Sequence, residues 1–158
     1  MVRSSQTFKI NSMGKKIAQK NMLGHLTSES ETKADPLGDH RARLVRGNLF
    51  AHWNEGGQRF FSVTKDISTL KWKKEGSKSS KDIKSILLNT ITSVTEGCRP
   101  SGHRRGTKAA NNNRAFSIST KDGNKTTYID LEASTKVERD RWVKSLQTAV
   151  DLVKNGTL

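Results

Sequence analysis

Residues Ala115–Val153, AFSISTKDGNKTTYIDLEASTKVERDRWVKSLQTAVDLV, decide the fold. Ala115–Thr120 and Thr126–Glu132 read as two short strands joined by Lys121-Asp122-Gly123-Asn124-Lys125. From Thr135 to Val153 the period changes to 3.6. Trp142, Val143, Leu146, Ala149, Val150 and Val153 then fall in one apolar stripe. Thr135-Lys136-Val137-Glu138 has the form of a capping box, and Gly156 stands just past the predicted end. Strands followed by one terminal helix suit a curled antiparallel sheet whose open end the helix covers, with Trp142 as the seal. That order points to a small recognition module and away from an enzyme.

Upstream, the pattern is again one of strands. Leu44–Trp53 is a candidate first strand, Glu55-Gly56-Gly57 a turn, and Gln58–Thr64 a second strand with Phe60 and Phe61 on opposite faces. Ser68–Lys74 alternates, with Leu70 and Trp72 on one side and Thr69, Lys71 and Lys73 on the other. Glu75–Lys81 is a polar loop. Ile86–Thr95 supplies one or two further strands, with Leu88, Ile91 and Val94 as core candidates. Gly97–Arg114 is a long basic loop of low complexity. Residues 1–43 read as an appendage and 44–154 as the folded domain. In the appendage Ile10, Met13 and Ile17 could share one face of a short basic helix, interrupted by Gly14 at a cost of about 1 kcal/mol. That segment either lies on a membrane surface or has no fixed structure. Thr27–His40 has the composition of a solvated linker.

Composition narrows the classes. The chain has 158 residues, enough for one domain and a tail. No apolar run nears the ~20 residues needed to span a bilayer, and no signal-peptide pattern is present. Cys98 is the only cysteine, which excludes an internal disulfide and a cysteine-rich zinc site and makes a cytoplasmic setting the default. The four histidines, His25, His40, His52 and His103, show no metal-ligand spacing, so no metal or cofactor is expected. No nucleophile elbow, P-loop or paired-carboxylate signature appears. The net charge of +14 is the strongest bulk signal. Arg99, Arg104, Arg105, Lys108 and Arg114 face no acid within residues 99–114. Such a field attracts polyanions: nucleic acid, anionic lipid or acidic protein.

With the strand order and Trp142 in place, residues 44–153 resemble a pleckstrin homology domain, most closely the one at the head of phosphoinositide-specific phospholipases C and their inactive relatives. The resemblance is carried by Arg59-Phe60-Phe61-Ser62-Val63, Asp66–Trp72 (DISTLKW), Leu88–Gly97 (LNTITSVTEG), Ala115-Phe116-Ser117-Ile118, Tyr128-Ile129-Asp130-Leu131 and Trp142–Leu146 (WVKSL). It implies a mainly β fold: a seven-stranded, bent antiparallel sandwich or barrel capped by one C-terminal α-helix. It also implies a non-catalytic module, since phospholipase catalysis belongs to a separate barrel.

Members of the family that bind phosphoinositides use basic residues from the first hairpin, the loop after the third strand and the loop between the last two strands. Here Arg59 matches the last basic position of the hairpin, but Gly57 stands where a Lys or Arg would be. The strand-one lysine is replaced by His52 or a neighbour among Ala51, Trp53 and Asn54, and Glu55 adds an adverse charge. That departure argues against tight, stereospecific inositol phosphate binding. Lys71, Lys73, Lys74 and Lys78, with Lys121 and Lys125, are the other headgroup candidates. Arg104, Arg105 and Lys108 extend a basic rim worth about 1 kcal/mol per well-placed cation. Trp53 either dips into the membrane interface or packs back onto Phe50 or Phe61.

The expected partner is therefore an anionic phospholipid surface, phosphoinositides first, with peripheral attachment and a monomer as the default state. The alternative is a scaffold that kept the sandwich, lost its lipid site and binds protein. Nucleic acid is set aside, because neither the tail nor the basic loop carries aromatic stacking residues. Met13-Gly14 as a site of acylation, and Cys98 as one of palmitoylation, are weaker expectations.

Overall fold

The computed structural model describes residues 35–97, the backbone alone at 104–105 and 108–109, and residues 111–158. The expectations for Ile10, Met13, Gly14, Ile17 and Cys98 lie outside the described residues.

The chain enters the domain through a helix, α1 (Asp39–Arg46), not through a strand. Leu37 and Leu44 are both buried in the core, and Asp35 fixes the approach by pairing with Arg41 at 2.6 Å. The first strand expected from Leu44 is thus corrected: it begins at Asn48. An eight-residue helix with one fully buried side chain is too short to persist alone and is held by packing on its neighbours. Gly47 joins it to β1 (Asn48–His52) at φ 77°, where an added Cβ would meet the Phe61 carbonyl and approach Phe60 Cζ to 2.7 Å. Only glycine makes that corner.

Then follow β2 (Gln58–Val63), β3 (Thr69–Lys74) and β4 (Lys84–Leu87) as consecutive antiparallel neighbours. A 3-10 turn over Leu88–Thr90 leads into β5 (Ile91–Glu96). A two-stranded ribbon, β6 (Arg104–Arg105) and β7 (Lys108–Ala109), interrupts the long loop. β8 (Ala115–Asp122) and β9 (Lys125–Glu132) form the last hairpin, and α2 (Lys136–Lys154) ends the domain. The main sheet has seven strands in the order β4-β3-β2-β1-β9-β8-β5. It curls without closing, since β4 and β5 are joined by the turn and not by pairing. The seven strands and single terminal helix expected from the resemblance are present.

Helix α2 starts at the N-cap the sequence indicates, where Thr135 Oγ1 accepts from the Glu138 N–H at 3.1 Å. The Glu138 half of the capping box, however, goes to the Ser134 hydroxyl and not to the Thr135 N–H. Its end is a Schellman motif: Thr157 N–H donates to the Leu152 carbonyl at 2.9 Å and Gly156 N–H to that of Val153 at 3.2 Å. Trp142, Val143, Leu146, Ala149 and Val150 are buried, and Val153 partly so. Gln147 Nε2 donates to the Val94 carbonyl at 2.8 Å, so the helix also occupies the free edge of β5. Arg139, absent from the apolar stripe, is buried nonetheless. Its guanidinium reaches Glu96 at 3.3 Å, Asp140 at 2.5 Å and the Ala115 carbonyl.

Aromatic rings run through the core from the plugged end to the mouth. Trp142 meets Phe50 edge-on at 5.0 Å, and Phe50 meets Phe116 at 5.2 Å and Phe61 at 5.9 Å. Phe61 stacks on Trp72 at 5.5 Å, and the His52 ring lies parallel to both. Trp142 therefore seals one end while His52 and Trp72 floor the other.

Candidate functional site

The mouth is framed by the β1–β2 turn and the β3–β4 loop. Across β2 and β3, Arg59 stands opposite Lys74 and Phe61 opposite Trp72; across β3 and β4, Trp72 stands opposite Lys84. Since directly opposed residues share a face and alternate residues share a side, Arg59, Trp72, Lys74 and Lys84 all line the concave side. Together with Glu55, Lys73, Lys81 and Asp82 they bound a cleft of about 340 Å³.

The turn that forms one wall is fastened on both sides. Trp53 N–H donates to the Asp130 carbonyl at 2.9 Å, and its indole N–H to Glu132 at 3.2 Å. Asn54 donates to the Asp130 carboxylate at 3.1 Å and accepts the Asp130 backbone N–H at 2.7 Å. Asp130, fully buried, also accepts from Ser117 Oγ at 2.8 Å. Gly57 closes the turn at φ 76°, and its carbonyl accepts from His52 N–H at 3.0 Å. The basic residue of the family pattern is thus missing for a conformational reason: the position lies in the left-handed region, which disfavours a long side chain.

Glu55 holds the centre of the cleft. Its carboxylate meets Lys84 Nζ at 2.9 Å and Arg59 Nε at 3.7 Å, and its backbone N–H donates to His52 Nδ1 at 3.0 Å. Burial raises the Glu55 pKa, but the Lys84 hydrogen bond and the nearby His52 and Arg59 outweigh it, leaving it below the usual carboxylate value. His52 moves down from the ordinary histidine value. Burial is the main cause, and Arg59 and Lys84 add to it against Glu55 and Asp130. The His52 imidazole is therefore buried in the floor of the mouth and serves there as a hydrogen-bond acceptor for the Glu55 N–H.

Of the candidates from sequence, the structure gathers Arg59, Lys73 and Lys74 at the cleft. Lys71 and Lys73 are both one β-pleat step out of phase with Trp72; Lys73 borders the cleft from its rim beside Lys74, whereas Lys71 lies exposed on the outer face away from it. Lys78 is exposed in the β3–β4 loop, and Lys121 and Lys125 are exposed at the β8–β9 turn. The side chains of Arg104, Arg105 and Lys108 lie outside the described residues. The loop that carries them is rooted at Gly97 and Asn111, beside Ala115 at the start of β8. Asp122 and the β8–β9 turn are at the far end of that strand, roughly 23 Å away at ~3.3 Å per residue. Trp53 is half-buried and bound to Glu132. Two cleft cations, Lys81 and Lys84, escape the sequence reading. Their only signal is the Lys-x-x-Lys spacing that carries the polar loop into β4.

A family model described as the PH domain matches residues 22–151. Among solved structures, the PH domain from TgAPH superposes with a TM-score of 0.54 at 16% identity, covering 75% of this chain and 91% of that one. The PH domain from PfAPH gives 0.53 at 18% identity, covering 81% and 99%. S. officinalis PLC21 gives 0.51 at 15% identity; the match covers 69% of this chain and 16% of that far longer one. Identities this low speak for the fold. No curated protein matches by sequence. Because the family model spans most of the chain, and the curled sheet with its helical plug is what that family folds into, the chain belongs to the pleckstrin homology domain family.

Proposed function

We propose that this domain docks on anionic phospholipid surfaces, phosphoinositides being the ligand class, through the cleft between the β1–β2 turn and the β3–β4 loop. A PH domain is itself a non-catalytic module that binds lipids or proteins. The observation that carries the lipid reading is the convergence of Arg59, Lys73, Lys74, Lys81 and Lys84 on one cleft, against Glu55 and Asp82. Phosphate recognition needs several such cations at once, since one exposed ion pair is worth only ~0–1 kcal/mol. Ile83, 45% exposed between Lys81 and Lys84, adds an apolar tip where a headgroup layer would lie. Among the described residues no helix is long and apolar enough to cross a membrane, so contact through this surface is the mode the domain offers.

Glu55 favours a second reading. By neutralising Arg59 and Lys84 from within, it suits a PH scaffold whose lipid site has decayed and which acts through protein contacts. Co-sedimentation of the full chain with neutral and phosphoinositide-containing vesicles separates the two. The lipid reading expects pelleting with the anionic vesicles only. It also expects a loss of about 30-fold in Lys73→Gln/Lys74→Gln, from ~1 kcal/mol per cation. Equal pelleting with both vesicles, or an unchanged double variant, overturns it.

A further inference from the structure

At the opposite end of the β1–β2 hairpin from the cleft, α1 and the first half of α2 wall a second pocket of about 340 Å³. It is lined by Arg43, Arg46, Asn48, Glu138, Arg141 and Trp142. Three guanidinium groups face a single carboxylate there. That carboxylate is already engaged by Ser134 and then Asn48, which hold the Glu138 pKa below the usual value. None of the three arginines has an acidic partner among the described residues.

The wall is fixed before any ligand arrives. Arg43 Nη1 donates to Ser145 Oγ at 3.0 Å, and Ser145 Oγ donates to the Arg141 carbonyl at 2.8 Å. His40 Nδ1 lies 2.9 Å from the same oxygen, whose one proton is committed, so the imidazole donates. This hydroxyl clips α1 to α2 and holds the Arg43 guanidinium in place. A separate observation concerns Trp142. Its side chain is only 1% exposed and lines the pocket, and its indole N–H has no hydrogen-bond partner. Buried donors are nearly always satisfied, so an unpaired one beside three uncompensated guanidinium groups marks a missing acceptor.

We propose that this pocket is a second anion site that takes a phosphate group, distinct from the membrane cleft and independent of it. Guanidinium forks bind phosphate oxygens bidentately. Cations drawn from two helices, together with an indole donor, require acceptor oxygens on more than one side, which a tetrahedral phosphate has and a planar carboxylate lacks. The group is either part of a soluble phosphorylated molecule or the headgroup of a phosphomonoester lipid.

The test uses the full chain labelled with nitrogen-15 and inorganic pyrophosphate as the probe, following the three tryptophan indole N–H resonances. The Trp142 signal should shift saturably. Arg46→Gln/Arg141→Gln, at two exposed positions, should weaken that response at least about tenfold. Lys73→Gln/Lys74→Gln in the cleft should leave it intact. A Trp142 signal that stays still, that moves equally in the arginine double variant, or that drifts without saturation alongside the other two indoles overturns the proposal. Phosphatidate vesicles then identify the source. Further loss of binding when Arg46→Gln/Arg141→Gln is added to the cleft variant assigns the site to lipid, and no further loss assigns it to a soluble phosphate. Failure of the cleft as a lipid site would appear in the lysine double variant on phosphoinositide vesicles, with the indole response untouched.

Discussion

Glu55 sets how firmly the cleft can hold an anion, because a phosphate must displace it from Lys84 and Arg59. Glu55→Gln keeps the size and removes the charge. Vesicle affinity should rise about three- to tenfold, the worth of one or two partly exposed ion pairs. Unchanged or weaker pelleting would show that Glu55 is no competitor. His52 governs a different property. Its folded pKa lies below the 6.5 of a free histidine, so as pH falls the unfolded chain takes up the proton first. The stability it contributes is complete above about 6.5 and is lost as pH drops towards the folded value. Urea unfolding of His52→Gln, compared with wild type on both sides of 6.5, should show a shallower loss on the acid side. Equal slopes would mean the imidazole titrates freely. From sequence, His52 shows only as a departure from a basic pattern. That it is a stacked core ring follows from Phe61 and Trp72, which other strands bring to it.

Among the elements, α2 was legible almost residue for residue, because nineteen residues give its period and both its caps room to show. α1 was not. Leu44 and Val45 look like strand residues beside Leu49 and Phe50, and the only local mark of a helix end is Gly47. What makes the segment helical is the bed it lies on, through Ser145 and the buried Leu37 and Leu44. The corner at Gly47 is therefore as important as the helix. Gly47→Ala should cost more than about 1 kcal/mol in equilibrium unfolding, through the positive φ and the clash with the Phe61 carbonyl. A variant as stable as wild type would mean the corner can reopen.

For the whole molecule, the arrangement of charge separates binding from stability. The cleft lysines are exposed and act over distance, while Arg139 is buried against Glu96 and Asp140. Raising ionic strength from about 0.01 to 0.15 M shortens the screening length from ~30 to ~8 Å. Vesicle binding should fall steeply over that range while the thermal midpoint, followed by circular dichroism, moves little. A parallel fall in both would place the binding charges in the core of the fold.

The sequence by itself determined the class of fold, because period-2 strands, a period-3.6 helix and a Trp on its apolar stripe are local signals that each segment carries alone. It also set the excess of positive charge and the break in the family's hairpin pattern. Only the tertiary structure decided which cations meet. Pairing register put Arg59, Lys74 and Lys84 on one concave face and turned Lys71 away. The Glu55–Lys84 pair and the arginine pocket between the helices belong to the same class, since each joins residues brought together by packing and not by spacing in the chain.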